Sequence, residues 1–291
     1  MSVKDRIFVL AQHLLPQHGL SRLAGYAAEC RARWLRERLI TWFIKRYQVD
    51  MQAAELAHPD QYEHFNAFFT RALKPGTRPL DADAESVVSP VDGAISQIGT
   101  ISDGQLFQAK GHTCNLVELL GGDIETASLF RDGEFATLYL SPGDYHRVHM
   151  PVSGTLLKMA HVPGHLFSVN PLTASRVPRL FARNERVVCL FDTEFGPMAV
   201  VLVGAMIVAS IQTSWAGIVN PPGRKVTSCS YIAQDICLEK GEEFARFRLG
   251  STAIVLFAAK NVTWDLRLQA GSSVRMGSLI ASNCKAKVIG H

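Results

Sequence analysis

From Val87 onward, short runs of β-branched and apolar residues alternate with glycine and proline turns. The runs are Val87–Val88, Gly93 to Ile98, Phe135 to Leu140, Arg186 to Phe191, Met198 to Ile211 and Ala253 to Phe257. Runs of this length, punctuated this often, predict strands, because proline and glycine both interrupt helices. Met198 to Ile211 is too short to span a bilayer and is broken at Gly204, so it reads as a buried strand. The residues before this region follow a different period. Val3 to Leu15 sets Ile7, Leu10, Ala11, Leu14 and Leu15 on one side of a helix that stops near Pro16 and Gly19. Ser21 can cap a second helical stretch reaching about Tyr47, broken once. Tyr62 to Leu73 predicts one more helix before Pro75, Gly76 and Pro79. The shift near residue 80 predicts an α+β chain, with an N-terminal helical region at 1–80 and a β-rich body at 81–291.

Composition narrows the class. A chain of 291 residues that is 47% apolar and 19% charged can bury a large core and is not disordered. Cys30, Cys114, Cys189, Cys229, Cys237 and Cys284 form no C-x-x-C pair, which favours reduced thiols over a zinc knuckle or a disulfide framework. The first apolar run is interrupted by Gln12 and His13 and lacks a small-residue cleavage site, so no signal peptide is expected. Of the net charge of +4, the first fifty residues carry nine basic against four acidic side chains, leaving the remainder slightly acidic. Within them Trp34, Leu35, Leu39, Trp42, Phe43 and Tyr47 are interleaved with arginines. Two readings remain open. Such a helix can lie on an anionic lipid surface, or it can be an ordinary surface helix packed on its own body. No nucleic-acid motif accompanies the basic residues, so no nucleic-acid partner is expected.

Three places can carry chemistry. In Arg246 to Ala258, a leucine-glycine pair leads into Ser251 and then an apolar run. This is either a turn into a core strand or a self-cleaving Gly250–Ser251 bond. Glycine tolerates the distorted backbone that lets the Ser251 hydroxyl attack the Gly250 carbonyl. If the ester then breaks by β-elimination, Ser251 becomes dehydroalanine and finally an N-terminal pyruvoyl group. Asp92, in Ser89 to Gly93, is either a turn aspartate or a charged partner for a base. Ser141 to Pro151 holds His146, Arg147 and His149 between prolines. The prolines argue for a loop or strand end and against a helical metal site, and no third ligand stands nearby. No metal is expected, and acid–base work remains. Asp92, one of these histidines and Ser251 can supply an acid, a base and a nucleophile.

SPVDGAIS, QAKGH (108–112), SPGDYHRVHMP, VPGHLFSVNP (162–171), LFARNERV (180–187), FGPMAVVLVGA (195–205) and FRLGSTAIVLFA resemble, in order, the motifs of the pyruvoyl-dependent phosphatidylserine decarboxylases, in particular the bacterial membrane-associated branch. The resemblance runs from the N-terminal helices to about Ile280. The chain ends soon after VRMGSLIA (274–281) and lacks the extended tail of some members. The resemblance implies a proenzyme that cuts itself at Gly250–Ser251 into a β chain of 1–250 and an α chain of 251–291. The α chain would begin with the pyruvoyl cofactor derived from Ser251. It implies a maturation triad of Asp92, His149 and Ser251, in which His149 deprotonates Ser251 and Asp92 orients the imidazole. His146 is similar to the family's acid–base group beside the substrate, and Ser168 and Asn170 resemble headgroup-pocket residues. The implied reaction converts phosphatidylserine to phosphatidylethanolamine through a Schiff base whose electrons drain toward the adjacent carbonyl as CO2 leaves. It implies peripheral attachment to the cytoplasmic side of an anionic cell membrane through the basic, tryptophan-bearing helices, and a dimer of processed protomers.

Three rivals make different predictions. A Ser-His-Asp hydrolase would keep an intact chain, though no G-x-S-x-G elbow surrounds Ser251. A lipid-binding module would tolerate loss of the Ser251 hydroxyl. A pyruvoyl decarboxylase for a soluble amino acid would not need the basic N-terminus.

Overall fold

The central strands are apolar on both faces, so they can be stable only with a layer packed on each side. The computed structural model describes Gln12 and residues 17–205, 210–219, 223–248 and 251–284. The helix expected over Val3 to Leu15 lies almost wholly outside them. Eleven elements carry the account. They are α1 (Gln17–Ala28), α2 (Arg33–Tyr47), α3 (Phe65–Phe69), β1 (Gly93–Thr100), β2 (Glu134–Leu140), β3 (Arg147–His149), β4 (Gly154–Val162), β5 (Arg186–Thr193), β6 (Met198–Gly204), β7 (Glu243–Phe247) and β8 (Ser251–Phe257). With shorter connecting helices and edge strands they form the mixed α+β architecture.

A nine-stranded antiparallel sheet runs β4-β5-β6-β8-β2-β1, with Thr227–Ser230 at one edge, Ser273–Val274 at the other and Cys237–Leu238 paired to β4. β8 lies in its middle, with Ala253 opposite Leu138 on β2 and Leu202 on β6. Side chains alternate across a strand. Accordingly Ala253, Val255 and Phe257 join one core, while Ile254 and Leu256 join a second on the other face. Burying each large apolar side chain contributes about 1.5–3 kcal/mol, which is why β8 can be apolar throughout.

A four-stranded sheet of Gly217–Val219, Ile211–Thr213, β7 and β3 covers the first face. Val148, Ile211, Phe244 and Phe247 from this sheet pack into the core of Ala253 and Val255. The apolar run Met198 to Ile211 is therefore not one strand, as its composition predicted. β6 ends at Gly204 in the large sheet, and Ile211 begins a strand of the covering sheet. Hydropathy cannot register that change, because both strands face the same apolar layer.

A third core belongs to the N-terminal region, where Ile40 and Phe43 of α2 pack with Tyr62, Phe65, Phe68 and Phe69. Ser21 lies inside α1 and does not cap it. The helix expected over Tyr62 to Leu73 is only five residues long. His64 caps it by accepting from the Ala67 N–H, and Leu73 instead bridges to Ala54. Among the described residues, no helix is long and apolar enough to cross a membrane.

Candidate active site

Ser251 opens β8, hydrogen-bonded into the sheet opposite Leu140 at the end of β2 and Gly204 at the end of β6. The alternation along β8 puts its side chain on the same face as Ala253, between the two sheets. The residue is 1% exposed, yet among the described residues its hydroxyl has no hydrogen-bond partner. An unsatisfied buried hydroxyl costs about 1–3 kcal/mol, so a structural serine here would be a poor choice. Gly250 lies outside the described residues.

The chain leaves β2 at Leu140, opposite Ser251, and turns through 141–146 into β3. Asp144 accepts from the Ser141 N–H and tightens this turn. His146, at the end of the turn, is fully buried and stacked on Phe69 of α3, with ring centroids 4.0 Å apart. Its backbone carbonyl accepts from the Phe247 N–H, tying it to the last residue of β7, shortly before Ser251. Burial, and then the nearby Arg71 charge, push the imidazole down to about 3. His146 is therefore neutral at neutral pH, with Nδ1 unpaired.

His149 ends β3 and is differently held. Its Nδ1 lies 2.8 Å from the Gly241 carbonyl, and its Nε2 lies 3.0 Å from the Tyr145 hydroxyl. A carbonyl can only accept, so Nδ1 carries the proton and Nε2 presents its lone pair. Burial raises the Tyr145 phenol to about 12, so it stays protonated and donates to Nε2. Burial also pushes His149 downward, favouring the neutral ring with Nε2 unprotonated.

Asp92 reaches the same region by another route. The Pro90 carbonyl accepts from the His149 N–H at 2.9 Å, which docks the 89–92 turn against β3. The Asp92 carboxylate accepts from Arg78 Nε at 2.8 and 3.0 Å, from Arg78 Nη2, and from the Met276 N–H at 2.9 Å. Among the described residues, its hydrogen bonds and those of His149 are thus made to different partners. The charge of Asp92 still acts on the His149 ring, favouring its protonated form. Gly93, which follows, is needed for space. A Cβ there would lie 2.3 Å from the Tyr139 carbonyl oxygen on β2.

Ser168 and Asn170 precede a short helix, Pro171–Ala174. Asn170 Oδ1 caps it by accepting from the Thr173 N–H, and Gln12 Oε1 accepts from the Ser168 N–H. The helix cap is thus one established use of Asn170.

Sequence reading had not singled out Phe69, Arg71, Arg78, Tyr145 or Gly241. Tyr145 lies within SPGDYHRVHMP, one residue before His146. Arg78, between Thr77 and Pro79, and Arg71, beside a phenylalanine pair, carry no spacing that marks them.

Comparison with known proteins identifies the family. The chain matches the family model described as Phosphatidylserine decarboxylase over residues 65–282, and a second, described as PSD, over residues 7–48. It is 62% identical to a phosphatidylserine decarboxylase proenzyme of Ectopseudomonas mendocina, over 96% of this chain and 99% of that protein. It is also 62% identical to the proenzyme of the same name from Pseudomonas aeruginosa strain LESB58, over 97% of this chain and 98% of that protein. A Pseudomonas putida proenzyme of this name is 61% identical, over 98% and 100%. With a buried, unpartnered serine opening the central strand and agreement along nearly its whole length, the chain belongs to the phosphatidylserine decarboxylase family.

Proposed function

We propose that this protein decarboxylates phosphatidylserine to phosphatidylethanolamine, using a pyruvoyl group that it makes from Ser251 by cutting its own Gly250–Ser251 bond. The observation that carries the reading is the Ser251 hydroxyl, buried and unpartnered at the start of the central strand. His149 takes the hydroxyl proton at Nε2, once the Tyr145 hydroxyl gives way or relays it. The Ser251 oxygen attacks the Gly250 carbonyl, and the peptide C–N bond breaks as the ester forms. Gly241 holds the ring in the required tautomer. Asp92, fixed by Arg78, favours the imidazolium through its charge. Elimination of the ester leaves Gly250 with a carboxylate and residue 251 as dehydroalanine, which hydrolyses to pyruvoyl and ammonia.

Ser251, as the residue that would become the group, fits it. The position is enclosed between two sheets, which keeps water from a reactive carbonyl. When formed, the pyruvoyl group supplies an electrophilic carbonyl for the substrate amine and an electron sink as CO2 departs. His146, in the turn opposite Ser251, is neutral in the free protein and, once protonated with substrate bound, delivers the proton that replaces CO2 on the substrate carbon. Ser168 and Asn170 are assigned to the headgroup pocket, where Asn170 can offer its amide NH2 because the cap uses only its oxygen. The exposed tryptophans of α2, Trp34 and Trp42, set the body on an anionic membrane from the cytoplasmic side, and processed protomers pair as dimers.

The test is CO2 release from phosphatidylserine vesicles with and without hydroxylamine, which consumes carbonyl cofactors. Activity abolished by hydroxylamine supports the reading. Activity indifferent to it removes the pyruvoyl group from the mechanism.

A further inference from the structure

Arg71 is 4% exposed, and its guanidinium has no carboxylate partner among the described residues. Nη2 donates to the carbonyls of Gly143 at 3.0 Å and Asp144 at 3.2 Å, while Nε and Nη1 are buried without hydrogen-bond partners among the described residues. The neighbouring arginines differ. Arg78 is paired with Asp92, and Arg147 with Glu243. A buried cation with free donors is costly unless an anion completes it.

Its position says which anion. Arg71 grips the turn that begins opposite Ser251 and ends at His146. It follows Phe69, on which His146 stacks, by two residues. The guanidinium face is also directed over the Phe68 ring, which fixes its orientation. The side chain is thus held in place against the turn that begins opposite Ser251. Phosphatidylserine brings two anions, its carboxylate and its phosphodiester. A fixed cation on the carboxylate would stabilise charge that must leave as neutral CO2, favouring the ground state over the transition state. The phosphodiester keeps its charge throughout and lies a few bonds from the amine. We infer that Arg71 is the binding residue for the phosphodiester of the lipid headgroup, through Nε and Nη1. Neutralising the guanidinium in this way also lifts the smaller of the two influences that keep His146 unprotonated, while burial, the larger, remains.

The assignment rests on Ser251 and its turn being the active site, a reading that the hydroxylamine test addresses separately. For Arg71 itself, inhibition of phosphatidylserine turnover is measured with two soluble probes in wild type, Arg71→Gln and Arg71→Lys. Glycerophosphoethanolamine has the phosphodiester without the carboxylate, and serine has the carboxylate without the phosphodiester. In Arg71→Gln, inhibition by glycerophosphoethanolamine weakens about 30-fold and KM for phosphatidylserine rises alike, while inhibition by serine is unchanged. Arg71→Lys recovers part of the loss, because it keeps the charge. Equal weakening of both probes, weakening of serine alone, or no change in either would overturn the inference. Failure of both variants to self-cleave would make Arg71 a brace for the turn and overturn it as well.

Discussion

His146 and His149 lie three residues apart but are held by opposite means. One is enclosed against a phenylalanine with no strong partner, and the other is gripped at both nitrogens. Sequence set both in one short segment and could not show how each ring is held, because that depends on Phe69, Gly241 and Tyr145. The two should separate by mutation. His149→Ala and Asp92→Ala should leave the chain uncut, whereas His146→Ala should permit cutting and slow turnover at least about 100-fold. The reverse pattern, seen on a denaturing gel, would exchange their roles. Protonation gives a second test. The folded His146 ring titrates at about 3 and the free one at about 6.5, so between those values the unfolded chain binds a proton that the folded chain refuses. Stability from this group is therefore present above about 6.5 and lost as pH falls toward about 3, and buried His149 adds in the same direction. Denaturant unfolding should show a lower midpoint at about pH 5 than at about pH 7, with a shallower dependence in His146→Gln. An equal slope in the variant would place the titration elsewhere.

At the scale of elements, β8 and its neighbours were legible because strands buried on both faces have a continuous apolar signature. What pattern could not reveal was assembly, such as the division of Met198 to Ile211 between two sheets. Nor could it show that Asp92-Gly93 is a close crossing over β2 and more than a turn. The five-residue α3 escaped for a related reason. Its aromatics are periodic enough for a longer helix, but packing against α2 and His146 sets its length. Phe69→Ala should cost about 3–5 kcal/mol in denaturant melts and release the His146 ring. A cost under about 1 kcal/mol would mean that the stack does not hold the turn.

For the whole molecule, the core changes between Phe69 and Val87. The phenylalanine-rich cluster of the helices lies before that stretch, and the two faces of the large sheet lie after it. The helices turn Ile40 and Phe43 inward and leave Trp34 66% and Trp42 53% exposed, so one element can both pack and dock. Replacing both tryptophans by glutamate should weaken binding to anionic vesicles at least about tenfold without changing the unfolding midpoint. Unchanged vesicle binding would refute docking by α2. The central claim is that the chain makes its own cofactor at Ser251, and an intact mass spectrum of wild type beside Ser251→Ala tests it most directly. The account predicts wild type split at Gly250–Ser251, with the smaller chain lighter by the serine-to-pyruvoyl difference, and an uncut variant. An active wild type of full mass, or a cut chain that keeps an N-terminal serine, would contradict it.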